Sequence, residues 1–412
     1  MKLPADALQQ LDRSIAAVEA HPSLVDRDQV LQMLRSARKQ AERALQTPLG
    51  TTDATQGGDE LALSLMLSAA SGAAAPDEPS SPAEIVGTRQ YEDLDPGWIG
   101  SFYNYLFSKK VPFPIHDDRA PVGRPGSGVI QIPGDVTLAL SGDWGTGNES
   151  SGSIARKIEA LRPRANYTVH LGDVYYSGTP EEEQRRFVDL WPVGADGALA
   201  INSNHEMYSG GKGYFNIALE SSKFSLQRRL SYFALENARW IIFGLDSAYP
   251  SQARLYDKGE LDSTQLRFLA THGARARAAG KRVMVMTHHQ PIEFDGSLVT
   301  PLCDRVTRAA SVRELHWYWG HIHGAAVLAP KVVNGVVVHG RCVGHGGVPY
   351  EPFARTGAME WTESELAGDP EEKRRALNGF AVVRLHEAEI AETFFGEDGS
   401  VRHRVAQAAA AA

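Results

Sequence analysis

The sequence predicts an α/β fold, because strands and helices are expected to alternate along the central part of the chain. Five short apolar runs have the length and the β-branched content of buried strands, at residues 136–141, 167–171, 198–201, 283–287 and 316–319. Glycine or polar residues end each run. Stretches with a helical spacing of apolar residues lie between them, at residues 154–161, 181–190 and 263–279. Alternation of this kind is typical of α/β domains.

Residues that can bind metal ions follow directly after these predicted strands. In α/β sheets ligands collect at the carboxyl ends of strands, so we expect these side chains to meet. Oxygen and nitrogen donors at such an edge are suited to a two-metal hydrolytic centre. The five motifs are Gly142-Asp143-Trp144-Gly145, Gly172-Asp173-Val174-Tyr175-Tyr176, Asn204-His205-Glu206, His288-His289-Gln290-Pro291 and Gly320-His321-Ile322-His323.

The donor types assign a role to each ligand. A pair of ions needs a bridging oxygen, and Asp173 is our choice because it ends a strand in the middle of the set. His321 and His323 alternate along a segment that we expect to be extended, so their imidazoles should face one side. The predicted ligands of the first ion are Asp143, Asp173 and His323, and those of the second are Asp173, Asn204, His288 and His321.

The order of these motifs resembles that of the calcineurin-like metallophosphoesterases, and the first two motifs are most similar to the purple acid phosphatases. The resemblance covers roughly residues 130–395. It implies a two-sheet β-sandwich flanked by helices and two metal ions per chain, drawn from Fe, Mn and Zn. It also implies hydrolysis of a small phosphorylated substrate by a metal-bound hydroxide. Asn204 and His205 would contact phosphate oxygens, and His205 would protonate the leaving group.

The chain departs from the family pattern at two positions in these motifs. Gly145 stands where most of the superfamily has a histidine ligand, and Tyr176 is the natural substitute for that ligand. A phenolate favours a hard trivalent ion such as Fe(III). A packing role for Tyr176 remains the alternative. Ser203 replaces the usual glycine before Asn204, which removes no ligand.

Four further residues are candidates for contacts around the centre. Glu206 is expected to orient its loop. His289 adjoins a ligand and is expected to support it or to face the substrate. Lys212 lies in a glycine-rich loop and could contact a second charged group, although a solvated lysine is the alternative. His345 could approach the rim of the site, or it could be a loop histidine without a role.

Phosphomonoesters are the predicted substrates, with two alternatives. The same centre could act as a phosphodiesterase on small cyclic nucleotides or similar diesters. Alternatively, the chain could be a non-catalytic interaction protein whose metal domain is a scaffold and whose N-terminal helices bind a protein partner.

Composition limits the possible partners and the compartment. The chain has 42 basic and 50 acidic residues and a net charge of −8, which argues against charge-driven binding of nucleic acids or anionic membranes. Its two cysteines fit a reducing compartment. The first residues do not resemble a signal peptide. We therefore expect a cytoplasmic protein without a membrane segment.

The organisation of the chain is predicted from changes in composition. Residues 7–18 and 26–45 have a helical spacing of apolar residues, and an Ala-, Ser- and Pro-rich stretch follows. We expect an α-helical region at residues 1–70, a linker at 71–90, an aromatic segment at 91–129 that packs on the catalytic domain, the catalytic domain at 130–400, and a frayed tail at 401–412.

Overall fold

The computed structural model describes residues 108–405 except 118, 119, 121, 125 and 370–372, together with residues 15, 35, 38, 101, 104 and 105. Contacts between Cα atoms divide the chain into two units, Met1–Phe107 and Ser108–Ala412. The predicted linker lies outside the described residues, as do most of the predicted N-terminal helices, most of the aromatic segment before residue 108 and the part of the predicted tail after residue 405. Residues 401–404 form a strand paired with residues 393–395, so the prediction that the tail frays from residue 401 is wrong.

Two β-sheets form the centre of this unit. The nine-stranded sheet has the order β1 (Val129–Gln131), β5 (Phe233–Glu236), β6 (Trp240–Gly244), β7 (Arg282–Thr287), β8 (Glu314–Trp319), β11 (Val336–Val343), β9 (Ala325–Leu328) and β12 (Met359–Thr362), with β10 (Lys331–Val333) paired to β11. The six-stranded sheet has the order β15 (Val401–Arg404), β14 (Glu389–Gly396), β13 (Gly379–His386), β2 (Val136–Ser141), β3 (Tyr167–His170) and β4 (Gly197–Ala200). All the strands predicted from the apolar runs are present, within one or two residues of the predicted bounds.

Helices connect the strands. They are α1 (Glu149–Glu159), α2 (Pro180–Glu182), α3 (Asn204–Tyr208), α4 (Ser263–Ala278) and α5 (Pro301–Ala310). Two π-helical turns, Glu183–Val188 and Tyr214–Ala218, and two 3₁₀ segments, Ser222–Gln227 and Arg254–Tyr256, complete the set. The stretch predicted as one helix at 181–190 is therefore a short α-helix that continues as a π-helix.

Polar residues cap the longer helices. The side chains of Asn148, Asp262 and Thr300 accept the backbone N–H groups that begin α1, α4 and α5. None of the helices in the described part of the chain has the length and apolar character needed to cross a bilayer.

Three hydrophobic clusters show that the two sheets pack face to face and that helices cover their outer faces. Leu138 and Leu140 of β2 belong to the cluster between the sheets, together with Met284 of β7. Ala139, which points to the opposite face, packs with Ile154 of α1. The third cluster joins the first sheet to α4 and α5. Strands that are buried on both faces read as continuous apolar runs. The fold is the predicted two-sheet β-sandwich flanked by helices.

Parallel pairing sets the position of the motifs. In one sheet β2, β3 and β4 are parallel neighbours, and in the other β6, β7 and β8 are parallel neighbours. Asp143, Asp173 and Asn204 follow the first three strands, while His288 and His321 follow β7 and β8. The carboxyl ends of both groups of strands meet at one edge of the sandwich.

Candidate metal centre

Three of the predicted ligands lie where the chain turns sharply at a strand end. Asp143, Asp173 and His321 have positive φ angles of 56°, 77° and 65°. Each such residue costs about 1–3 kcal/mol, and strain of this kind clusters at functional sites. The segment through His321 is therefore bent, whereas the sequence predicts an extended segment with both imidazoles on one side. Both imidazoles nevertheless face the same centre, as the following contacts show.

One group of donors surrounds the hydroxyl of Tyr175. This oxygen lies 2.9 Å from Asp173 Oδ2, 3.0 Å from His323 Nε2 and 3.3 Å from Asp143 Oδ1. Ligand atoms of Asp143, Asp173 and His323 lie within 4.8 Å of one another. These three residues are those predicted for the first ion.

A second group of donors lies on the other side of Asp173. Asn204 Oδ1 lies 2.7 Å from His288 Nε2 and 3.2 Å from His321 Nδ1. The two ring nitrogens are themselves 3.2 Å apart. These residues are those predicted for the second ion.

Asp173 faces both groups, one oxygen towards each. Its Oδ1 lies 3.2 Å from His288 Nε2, while its Oδ2 accepts the hydrogen bond from Tyr175. A carboxylate in this position would supply one oxygen to an ion at each group, as two-metal hydrolytic chemistry needs.

The hydrogen bonds around the second group show that its donors suit a cation. His288 Nδ1 lies 2.8 Å from the Leu171 carbonyl oxygen and must donate to it, so Nε2 carries a lone pair. Burial lowers the pKa of His288 to about 3, which keeps the ring neutral near pH 7. The Asn204 amide donates to the Tyr208 hydroxyl at 3.1 Å, which turns Oδ1 towards the same point. Lone pairs that converge in this way repel one another unless a positive ion lies between them.

The two buried aspartates have opposite pKa shifts. Burial, and then the charge of Asp173, raise the pKa of Asp143 well above its ordinary value. Burial would also raise the pKa of Asp173, but the imidazoles of His205, His288 and His321 hold it well below its ordinary value. Cations between the two carboxyl groups would favour the ionised form of both. The donor set therefore fits two divalent or trivalent ions.

The phenol of this centre belongs to Tyr175 and not to Tyr176. The ring of Tyr176 lies beside Arg186, whose guanidinium carbon is 5.5 Å from the ring centroid, and its backbone N–H donates to Glu182. The structure thus corrects the sequence-based choice of Tyr176 as the substitute ligand. Both tyrosines belong to one motif, so spacing alone could not select between neighbours that point in different directions.

His205 lies beside the centre with one nitrogen directed towards it. Its Nδ1 lies 2.7 Å from the Tyr176 carbonyl oxygen and donates to it. Its Nε2 lies 3.7 Å from Asp173 Oδ2. The ring packs between those of Tyr175 and Tyr208, with centroid distances of 4.4 and 4.9 Å.

Ser203 and Glu206 form a chain of contacts that ends at the Asp173 carboxylate. Ser203 caps α3 by accepting the backbone N–H of His205 at 3.1 Å, and its hydroxyl also contacts Asp173 Oδ1 and Glu206 Oε2. Burial, and then Asp173, raise the pKa of Glu206 well above its ordinary value, so a protonated Glu206 can donate to the serine oxygen. Glu206 thus joins the start of α3 to Asp173.

Both ring nitrogens of His289 form contacts within the protein. Its Nε2 donates to the Tyr256 carbonyl at 2.7 Å, and its Nδ1 lies 2.9 Å from the Ser247 hydroxyl. A backbone hydrogen bond joins Asp257 to the imidazole of His321. The sequence analysis did not single out Ser247 or this loop. The loop contacts His289 and His321 through the backbone of residues 256 and 257, which any residue type could provide.

The remaining two candidates differ in position. Lys212 is exposed, at the loop that follows α3. His345 is only 1% exposed and lies in the interior near Phe394, with a ring-centroid distance of 6.5 Å. The expectation that His345 approaches the rim is therefore corrected, because the chain after β11 turns this side chain between the sheets.

Close packing requires glycine beside two of the ligands. A Cβ at Gly172, whose φ is +97°, would lie 2.7 Å from His288 Nδ1. A Cβ at Gly344 would lie 2.9 Å from Asp143 Oδ2. Any larger residue at these positions would displace a donor.

A second set of metal-type donors, Glu314, His316 and His339, lies at the opposite ends of β8 and β11. There the Arg282 guanidinium is 2.9 Å from His316 Nε2 and 3.4 Å from Glu314 Oε1. A positive group already occupies the position that a cation would take, so we assign no ion to this cluster.

Several solved structures are similar to the chain, although no curated protein sequence matches it. GAP50, the anchor in the inner membrane complex of Plasmodium, has 12% sequence identity and a TM-score of 0.48, and the match covers 66% of this chain and 88% of that one. A purple acid phosphatase from yellow lupin (Lupinus luteus) seeds has 14% identity and a TM-score of 0.48, with 66% of this chain and 54% of the lupin chain covered. A dimetal phosphatase from Danio rerio has 14% identity and a TM-score of 0.41, with 64% and 96% covered. This chain thus spans about half the length of the lupin protein.

The family model of the calcineurin-like phosphoesterases matches residues 136–325. This stretch begins with β2 and ends at the first residue of β9, so it contains every residue of the two donor groups. Over residues 136–325, this match confirms the predicted resemblance to the calcineurin-like phosphoesterases.

Proposed function

We propose that the protein hydrolyses phosphomonoesters at a centre of two metal ions. The observation that carries this proposal is the position of Asp173, which presents one oxygen to each of two groups of lone-pair donors. When bound, the two ions would activate a water molecule, orient the phosphate and screen its charge. Fe, Mn and Zn all suit these nitrogen and oxygen donors, and the phenol favours Fe(III) at the first group.

The residues around the ions have distinct roles in this proposal. Asp173 lies between the two donor groups, and the Ser203 hydroxyl, which also accepts the His205 backbone N–H, holds Asp173 in place. The phosphate would lie against Asn204 and His205, at the start of α3.

His205 is proposed to protonate the leaving group. Its Nδ1–H is fixed by the Tyr176 carbonyl, so a second proton on the ring must reside on Nε2, the nitrogen that faces the centre. General acid catalysis of this kind contributes typically ~10²–10⁴-fold to the rate. The contribution should be large for alkyl phosphates, whose alkoxide leaves poorly, and small for p-nitrophenyl phosphate, whose nitrophenolate leaves without a proton.

Burial of the centre supports monoesters over diesters. The side chains of Asp143, Asp173, Asn204 and His205 are all buried, and those of His321 and His323 are partly buried. A terminal phosphate can enter such a site with one substituent, whereas a diester must fit a second substituent on the same phosphorus.

The test uses a panel of monoesters and diesters with the metal-free protein reconstituted separately with Mn, Zn, Fe and Co. We expect hydrolysis of p-nitrophenyl phosphate to exceed that of bis(p-nitrophenyl) phosphate with at least one metal. His205→Ala should slow alkyl phosphates much more than p-nitrophenyl phosphate while both ions remain bound. A greater turnover of the diester with every metal would overturn the monoester assignment. Equal slowing of both monoesters would limit His205 to phosphate positioning.

We also propose a cytoplasmic location. Cys303 and Cys342 are both free and buried, as is common for cysteines in a reducing compartment. Measurement of the protein in fractionated cells would test this proposal.

A further inference from the structure

A short segment around Lys110 lies between the two loops that flank the second donor group. On one side, the Val111 backbone N–H donates to the Gly210 carbonyl at 2.9 Å, and Gly210 follows α3, which begins with Asn204. On the other side, the Tyr249 hydroxyl donates to the Val111 carbonyl at 2.6 Å. The segment therefore joins the loop after α3 to the loop between β6 and α4.

The loop between β6 and α4 is fixed to the centre. Tyr256 accepts the hydrogen bond from His289, and Asp257 is bonded to the imidazole of His321. Lys110 lies over this loop. Its Nζ donates to the Tyr249 carbonyl at 2.8 Å and lies 5.1 Å from the Tyr249 ring centroid and 4.7 Å from that of Tyr256. The ammonium thus lies over the ring of Tyr256, whose backbone carbonyl contacts His289.

Other lysines lie on the same two loops and on this segment. Residues 108–405 contain nine lysines, and four of these lie on this segment and the two loops, although the chain has a net charge of −8. All four are exposed, and within the described residues none of them forms an ion pair, although the charge of Asp246 acts on Lys110. We call this group the lysine rim; its members are Lys109, Lys110, Lys212 and Lys258.

We propose that the lysine rim binds a second anionic group of the substrate, so that the preferred substrate carries one phosphate at the metal centre and another anionic group at Lys110. This proposal rests on the proposed function. An ammonium has three N–H donors, and the Tyr249 carbonyl takes one of those on Lys110. The two aromatic faces stabilise the cation and restrict its movement, so it is oriented before an anion arrives.

Matched substrates with and without a second anionic group test the proposal. The substrates are α,ω-alkanediol bisphosphates, ω-carboxyalkyl phosphates and alkyl monophosphates, each as a series of chain lengths. Because Tyr256 separates Lys110 from the histidines, we expect an optimum above the shortest spacer. At that optimum, KM should be lower for the bisphosphate than for the monophosphate, and rising salt should reduce the difference.

Three variants locate the effect. Lys110→Met should raise KM for the best bisphosphate by about two- to fivefold more than KM for the monophosphate, with kcat affected less than KM. Lys110→Arg should restore most of the difference. Lys223→Met is the matched control, because Lys223 also donates to a backbone carbonyl, that of Trp191 at 2.9 Å. Titration calorimetry with non-hydrolysable alkane bisphosphonates should show the same order of affinities.

The outcomes separate this proposal from the proposed function. Hydrolysis of monophosphates without any advantage for the bisphosphates or the carboxylates would overturn the lysine rim and leave the phosphatase intact. If Lys223→Met removed the KM advantage of the bisphosphates as fully as Lys110→Met, the lysine rim would also be overturned. An advantage for bisphosphates alone identifies a second phosphate as the bound group, and an equal advantage for carboxylates identifies a general anion site. Absence of hydrolysis with every substrate and metal would refute the proposed function itself.

Discussion

Replacement of Tyr175 by phenylalanine should remove the visible absorption that arises when a phenolate binds Fe(III). The phenol must lose its proton to bind the ion, and burial followed by the charges of Asp173 and Asp143 raises the pKa of Tyr175 well above its ordinary value. A phenol or phenolate without iron absorbs only in the ultraviolet, so the metal-free protein should be colourless and the band should appear only with oxidised iron. Tyr176→Phe is the control, because that ring lies beside Arg186.

The size of the effect on metal binding follows from the contacts of the hydroxyl. It lies 2.9 and 3.3 Å from two buried carboxylate oxygens and 3.0 Å from an imidazole nitrogen. Loss of a group that supports a metal site typically lowers metal affinity about 10- to 100-fold, and loss of the phenolate ligand should weaken iron binding by at least roughly this much. In the metal-free protein the same change leaves buried groups without a partner, which should lower the free energy of unfolding by about 1–3 kcal/mol.

The assay is absorption spectroscopy of the iron-loaded protein, with iron content measured on the same samples. The expected result is loss of the band in Tyr175→Phe at full iron occupancy and its retention in Tyr176→Phe. Loss of the band in Tyr176→Phe with its retention in Tyr175→Phe would refute the placement of Tyr175. Tyr176, the tyrosine selected by the family resemblance, would then be the ligand. A colourless wild type with proven Fe(III) occupancy would exclude both tyrosines as ligands.

The other predictions concern the bridge, the packing beside it and the N-terminal unit. Asp173→Asn should lose both ions and activity while the circular dichroism stays native; metal analysis that finds both ions would remove Asp173 from the bridge. Gly172→Ala should lower the free energy of unfolding by more than about 2 kcal/mol, because strain at positive φ adds to the contact with His288. Gly280→Ala, at φ +64° with open space around its Cβ, should cost only the strain, and equal losses in the two variants would show that the contact is relieved. Deletion of residues 1–83 should leave hydrolysis of aryl phosphates largely intact, and a folded truncation without metal would place ligands in that region.

The strands and the order of the donors could be predicted because both are local properties of the sequence. A buried strand such as Val136–Ser141 needs a continuous apolar run, and the polar residue that follows it must lie at the sheet edge. Asp143, Asp173, Asn204 and His288 are all of this kind. Parallel pairing then brings the strand ends together. The donors could therefore be predicted with little knowledge of the three-dimensional arrangement.

The lengths of the elements were less well determined by the sequence. The stretch 181–190 has helical spacing, but the structure has a short α-helix followed by the π-helical turn Glu183–Val188. An apolar spacing near four residues per turn is shared by both forms, and the choice depends on packing against neighbours such as Phe224.

The tertiary structure alone decided which atoms face one another. Tyr175 and His323 are 148 positions apart, yet their contact distinguishes Tyr175 from its neighbour in the same motif. His345 was turned inward by the packing of Gly379 and Phe394, and Lys110 was brought to the rim by contacts with Gly210 and Tyr249. A sequence determines the chemistry of each donor and its place on a strand, because these depend on neighbours along the chain. The direction of a side chain at a strand end depends on contacts between distant segments, and these exist only once both sheets have packed.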